Sequence, residues 1–185
     1  MQGLPGGSPV LLLAACLWAH VASAQESTRQ VHLHARDGSR VLIAQLRLAP
    51  TAEGSTRFVL SMDHSAFTDH FLSMREFKCL PGGSEILCHV PYPYAQPGTV
   101  TGTDVAWLEH SLLFMFKTPS EFGAKLWNGV YWQLRPSGQG WVGTPQAVDL
   151  NRIGAPPDKP GPPFRPALRD DMPAGVRWFE RLTIE

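Results

Sequence analysis

The chain has 185 residues, 16 Lys and Arg against 16 Asp and Glu, and 43% hydrophobic residues. That hydrophobic share excludes a disordered chain, and the balanced charge excludes the broad basic face that nucleic-acid binding requires. Gly and Pro number 17 each, which disfavours long helices and points to one turn-rich domain.

Residues 1–24 hold no Asp, Glu, Lys or Arg. Val10 to Val21 form an apolar run that ends at Ala22-Ser23-Ala24, the shape of a secretory signal peptide cleaved after Ala24. The run is shorter than the about 20 residues that cross a bilayer, so no transmembrane span is expected. Leu13-Ala14-Ala15-Cys16 also has the form of a bacterial lipobox, in which Cys16 is acylated and becomes a lipid anchor. Against this, Leu17-Trp18-Ala19 carries the apolar run past the cysteine. The segment Met1 to Pro9 lacks the usual Lys or Arg, so either the α-amino group supplies the positive charge or the start lies elsewhere. Residues 25–185 are expected as a single β-rich domain, periplasmic or secreted, with a lipid-anchored envelope form as the alternative.

Val31 to Arg36 alternates apolar and polar, and so does Val41 to Leu48, with Leu42, Ala44, Leu46 and Leu48 on one face; Asp37-Gly38 between them predicts a hairpin. Arg57 to Met62 is a third strand. Phe71 to Cys79 and Glu85 to Pro91 flank Pro81-Gly82-Gly83-Ser84, which predicts a hairpin with a loop of about four residues. Folding about that turn sets Cys79 opposite Cys88 at a separation that a disulfide can bridge. Two cysteines in an exported chain support the same pairing. Phe77, Cys79, Ile86, Cys88 and Val90 then share one face. Further along, a helical turn over Asp104 to His110, capped by Thr103 or Asp104, precedes a strand at Leu112 to Phe116. Val130 to Arg135, Trp141 to Leu150 and Val176 to Ile184 complete the set. A short helical turn is expected at Ser120 to Gly123. Residues 154–175, with seven Pro and three Gly, form a polyproline-like strap over the surface. The expected fold is mainly β: a sandwich or barrel-like domain of about eight or nine antiparallel strands with short connecting helices.

Motifs of catalysis are scarce. Gly138-Gln139-Gly140-Trp141-Val142-Gly143 fits G-x-G-x-x-G but sits in a hairpin, not at a helix start, so no nucleotide or other cofactor is expected. His32 and His34 leave the same face of one strand, as a metal-ligand pair would. Asp63-His64 and Asp69-His70 place carboxylate beside imidazole, as a general base or a metal site needs. The structural alternatives are the exposed face of an edge strand for the first pair and a polar loop for the second. Tyr92, Tyr94, Trp127 and Tyr131, near Pro91 and Pro93, are candidate contacts for a small ligand or a partner.

The run from Phe71 to Cys79, with Cys88-His89-Val90-Pro91-Tyr92-Pro93-Tyr94, Leu112-Leu113-Phe114 and Trp127-Asn128-Gly129-Val130-Tyr131, resembles a set of uncharacterised exported proteins of Gram-negative bacteria over about residues 70–150. The resemblance implies a compartment and no chemistry. The function expected is that of a non-enzymatic periplasmic β domain that binds a small ligand or an envelope partner. The alternative is a metal-dependent hydrolase or metal carrier built on Asp63, His64, Asp69 and His70.

Overall fold

The computed structural model describes residues 25–71, 74–92, 94–121, 123, 125–153 and 161–185, without the side chains of 69–71 and 74–77. The expected signal peptide with Cys16, and residues 154–160 of the strap, lie outside these. Among the described residues twelve strands form one antiparallel sheet: β1 (Ser27–Ala35), β2 (Arg40–Pro50), β3 (Thr56–Met62), β4 (Asp69–Phe71), β5 (Met74–Gly82), β6 (Glu85–His89), β7 (Thr99–Val100), β8 (Phe114–Lys117), β9 (Gly129–Ser137), β10 (Gly140–Val148), β11 (Asp170–Asp171) and β12 (Phe179–Ile184). The order is β4-β5-β6-β8-β9-β10-β12-β1-β2-β3-β7, with β11 paired to β10. The nine longer strands fall at the segments expected as strands, at the upper end of the eight or nine expected. The excess over that number is β4, β7 and β11, two- or three-residue ladders too short to carry an alternating pattern.

The sheet curls, so that strands far apart in its order share one core. Leu33, Leu46 and Phe58 from β1–β3 pack in the same cluster as Leu87, Phe114 and Trp132 from β6, β8 and β9. A second cluster lies on the outer face, where Cys79, Cys88, Met115, Tyr131 and Val148 are covered by Phe164 of the strap. Strands β6, β8 and β9 are therefore apolar on both faces, which explains the unbroken run Leu112 to Phe116. Between Val31 and His32 the β1–β2 register slips by one residue, from Val31↔Ala44 to His32↔Leu42. That bulge changes the face of the strand, so Ile43 and Val41 join the core instead of Leu42.

The Cys79–Cys88 disulfide is formed, with Cα atoms 3.9 Å apart. The hairpin around it is tighter than expected, because Gly82 pairs with Glu85 and leaves only Gly83 and Ser84 in the loop. Gly83 has φ +54°, and a Cβ there would lie 2.3 Å from the Trp178 ring, so the loop is glycine for both backbone and space. Helix α1 (Ala106–Ser111) falls where the sequence places it. Its start is fixed by Asp104, whose Oδ1 accepts from Ala106 N at 2.9 Å, while the N-cap position itself is Val105. Thr118 and Glu121 close a turn by a 3.1 Å main-chain bond, while the helical turn expected at Ser120 to Gly123 includes Phe122, which lies outside the described residues. The described part of the strap is more structured than a polyproline run: it holds a 3-10 turn at Pro166–Leu168 and strand β11. Among the described residues no helix is long and apolar enough to cross a membrane.

Candidate functional site

Beyond its short pairing with β7, no described strand covers β3 on the side away from β2. A groove of about 330 Å³ fills that seam, with Phe58, Leu60 and Met62 on one wall and Pro91, Tyr92 and Gln96 on the other. Its floor is set by Ser111 at the end of α1. Ser111 Oγ donates to Trp107 O at 2.9 Å and accepts from Gln96 Nε2 at 2.8 Å. The Ser111 carbonyl accepts from His89 Nε2 at 3.2 Å. His89 is buried, its ring edge-on to Phe114 at 5.3 Å, and burial pushes its pKa down to about 4. It enters the groove as a neutral ring near pH 7. The rim is aromatic: the Tyr92 ring lies 5.5 Å from Tyr94 and 6.0 Å from Trp107.

Beneath the rim lies a buried polar network. Glu109 on α1 accepts from Tyr131 OH and, at 2.7 Å, from the Leu134 main-chain N–H, and its carboxylate is 3.6 Å from the Arg169 guanidinium. Strand β8 pairs with β9 only at Val130 and Gly129, so the Glu109 side chain takes the place of a strand partner farther along β9. Arg169 lies 3.8 Å from the centre of the Tyr131 ring and donates twice to Phe164 O, at 2.9 and 2.6 Å. His110 is fully buried; its Nδ1 donates to Ala106 O at 2.7 Å and its Nε2 accepts from Phe164 N at 3.0 Å. Burial lowers its pKa to about 4 and, together with the Glu109 charge, raises that of Tyr131. These groups would attract attention as acid–base candidates. Each one is tied to another part of the chain, and together they fasten strap to sheet.

A second, larger cleft of about 660 Å³ lies between β9–β10 and residues 171–177, lined by Arg135, Asp171, Glu180 and Arg181 among others. Its charges are of both signs and mostly engaged. Arg135 donates to Gln133, Asp171 accepts from Gln146 at 2.7 Å, and Arg181 donates to His34 at 3.2 Å. Arg177 faces Glu85 at 3.2 Å and stacks on Phe116 at 3.4 Å. Size favours this cleft, but the chemistry favours the seam, whose walls keep apolar and main-chain groups open to a ligand.

The residues singled out in the sequence fall in several places. His32 and His34 do share a face, but β1 is an interior strand between β12 and β2, not an exposed edge, and His32 is buried. Arg40 donates to His32 at 2.9 Å, and Arg181 to His34, so cations flank both rings and oppose a metal ion. Asp63 turns its carboxylate to its own chain, accepting from Ser65 N at 2.9 Å, and His64 packs edge-on to Phe67 at 5.1 Å. Asp69 and His70 lie on β4, and their side chains are outside the described ones. Among the described residues no three His, Cys, Asp or Glu side chains converge as a metal site. Of the aromatic set, Tyr92 and Tyr94 come together at the rim. Tyr131 is buried below them, and Trp127 is 64% exposed in a separate turn. Leu60, Met62, Gln96 and Ser111 carried no motif. The one sequence signal for the groove was the Pro-rich aromatic stretch from Pro91 to Pro97. Comparison with family models, with curated proteins and with solved structures returned no match.

Proposed function

We propose that the chain is an exported, non-enzymatic binding domain of the cell envelope, periplasmic or secreted, that takes a ligand or partner in the seam groove beside Tyr92. The observation that carries this reading is the open β3 side of the half-barrel, where an apolar groove with an aromatic rim adjoins two polar side chains, Gln96 and His89. Ligand sites are commonly concave, mostly apolar and furnished with a few polar groups. The buried ionisable groups nearby are consumed by internal bonds, which favours binding over catalysis. The disulfide fits an oxidising compartment. Periplasmic expression followed by mass measurement tests the export element: a chain starting at Gln25 supports it, an acylated Cys16 gives the lipid-anchored form, and an unprocessed chain contradicts export. Elemental analysis of protein purified without chelator separates the alternative. Stoichiometric metal lost on His64→Ala would support a metal-dependent hydrolase or carrier and overturn the proposal.

A further inference from the structure

We propose that the seam is a strand-addition site, where an extended polypeptide pairs its main chain with Leu60 and Met62 and lays alternate side chains into the groove. The proposal rests on the reading of the groove as a binding site and names its occupant. Thr51 N donates to Ser55 O at 2.9 Å, and Asp63 N donates to Ile43 O at 2.8 Å. Hydrogen-bonded pairs of an antiparallel ladder recur every second residue. With the register Arg47↔Val59 and Gln45↔Ser61, it is therefore Val59 and Ser61 that bond to β2. The main-chain groups of Phe58, Leu60 and Met62 point the opposite way, into the seam. Phe58 N meets Gly98 O there at 2.8 Å, and β7 pairs only with Thr56 and Arg57. Among the described residues no main-chain partner reaches Leu60 or Met62 on that side.

N–H and C=O groups recurring on the half-buried residues Leu60 and Met62 ask for a ligand that offers both at strand spacing. An extended main chain does so, and its side chains then fall alternately into the groove and outward, the mode known as strand addition. Inward residues would meet Leu60, Met62 and Tyr92 and should be apolar. Outward residues would stand beside Val59, which is 51% exposed, with Arg47 opposite it and Arg57 two positions along. Both arginines are exposed, so acidic outward residues complement the surface. Sheet edges are usually blocked against such pairing; here β7 blocks only the first part of β3.

The test is to pan the exported protein against a random dodecapeptide phage library and to synthesise the enriched peptides. The expected result is slowed amide exchange at Leu60 and Met62 on peptide binding, with little change at Val59 and Ser61, which are already bonded. N-methylation at alternate peptide positions should weaken binding by about tenfold for one parity and hardly at all for the other, as the loss of one hydrogen bond implies. Met62→Pro removes a seam-facing N–H and none of the β2 ladder, and should weaken binding similarly while the melting curve reports folding. Peptides that bind and respond to Tyr92→Ala but leave exchange at Leu60 and Met62 unchanged overturn strand addition and leave the groove reading standing. Failure of any peptide to enrich overturns strand addition as well. Peptides that bind only elsewhere overturn both.

Discussion

Replacing Glu109 with Ala should be among the most destabilising single changes in the domain. The carboxylate accepts from Leu134 N and Tyr131 OH and neutralises Arg169, and both charged side chains are less than 10% exposed. Each buried donor left unpaired costs about 1–3 kcal/mol. Breaking a buried ion pair from one side costs about 3–5 kcal/mol, because the remaining charge is stranded. These costs overlap, so the expected loss is about 5 kcal/mol, against a total stability of about 5–15 kcal/mol for a domain. Urea unfolding followed by tryptophan fluorescence gives the midpoint directly. Glu109→Gln keeps an acceptor for Leu134 and should lose roughly half as much. The double change Glu109→Leu with Arg169→Met removes both charges and should be more stable than Glu109→Ala alone. A Glu109→Ala protein within about 1 kcal/mol of the parent would refute the assignment of this network as the fastening between strap and sheet.

Removing the disulfide by Cys79→Ser and Cys88→Ser opens a ten-residue loop and should cost about 2.7 kcal/mol by chain entropy, read as a lower midpoint with binding retained. Thiol titration of the unfolded parent without reductant should find no free thiol at these two positions. Phe164→Ala should cost about 3–5 kcal/mol, because a fully buried ring is lost from the outer core. His89 and His110 hold pKa values near 4 in the fold against 6.5 for the free side chain. Between those values the unfolded chain binds more protons, so stability should fall as pH drops from 6.5 to 4, by an order of 3 kcal/mol per ring, and their contribution should level off below that. Unfolding midpoints across this range check it; a flat profile, or one unchanged by His110→Gln, would contradict the burial argument.

The β architecture was legible because apolar-polar alternation marks the strands covered on one face and turn residues bound the continuous apolar runs of β6, β8 and β9, and the disulfide because its turn sits symmetrically between the two cysteines. The bulge at Val31 and His32 was not legible: a one-residue slip leaves the composition of both strands intact and only exchanges their faces. For His32 and His34, period two cannot distinguish an interior strand from an edge strand, and the cations beside them are supplied by Arg40 and by Arg181 near the other end of the chain. Glu109 was unremarkable in sequence, one acidic residue in a short helix. Its role arises because β8 leaves β9 early and a side chain must supply the missing acceptor. The groove was half visible, through Tyr92 and Tyr94. Its other wall is the part of β3 that β7 leaves uncovered, at Leu60 and Met62, and where a strand's pairing stops is a property of topology that no local pattern records.

The most direct test of the binding account is protein-observed NMR of the purified protein against a mixed set of small fragments and dodecapeptides. The account predicts that perturbed amides cluster at Leu60, Met62, Tyr92 and Gln96 and that Tyr92→Ala weakens the response. Perturbations confined to the cleft around Arg135 and Arg181, or absent altogether, would contradict it.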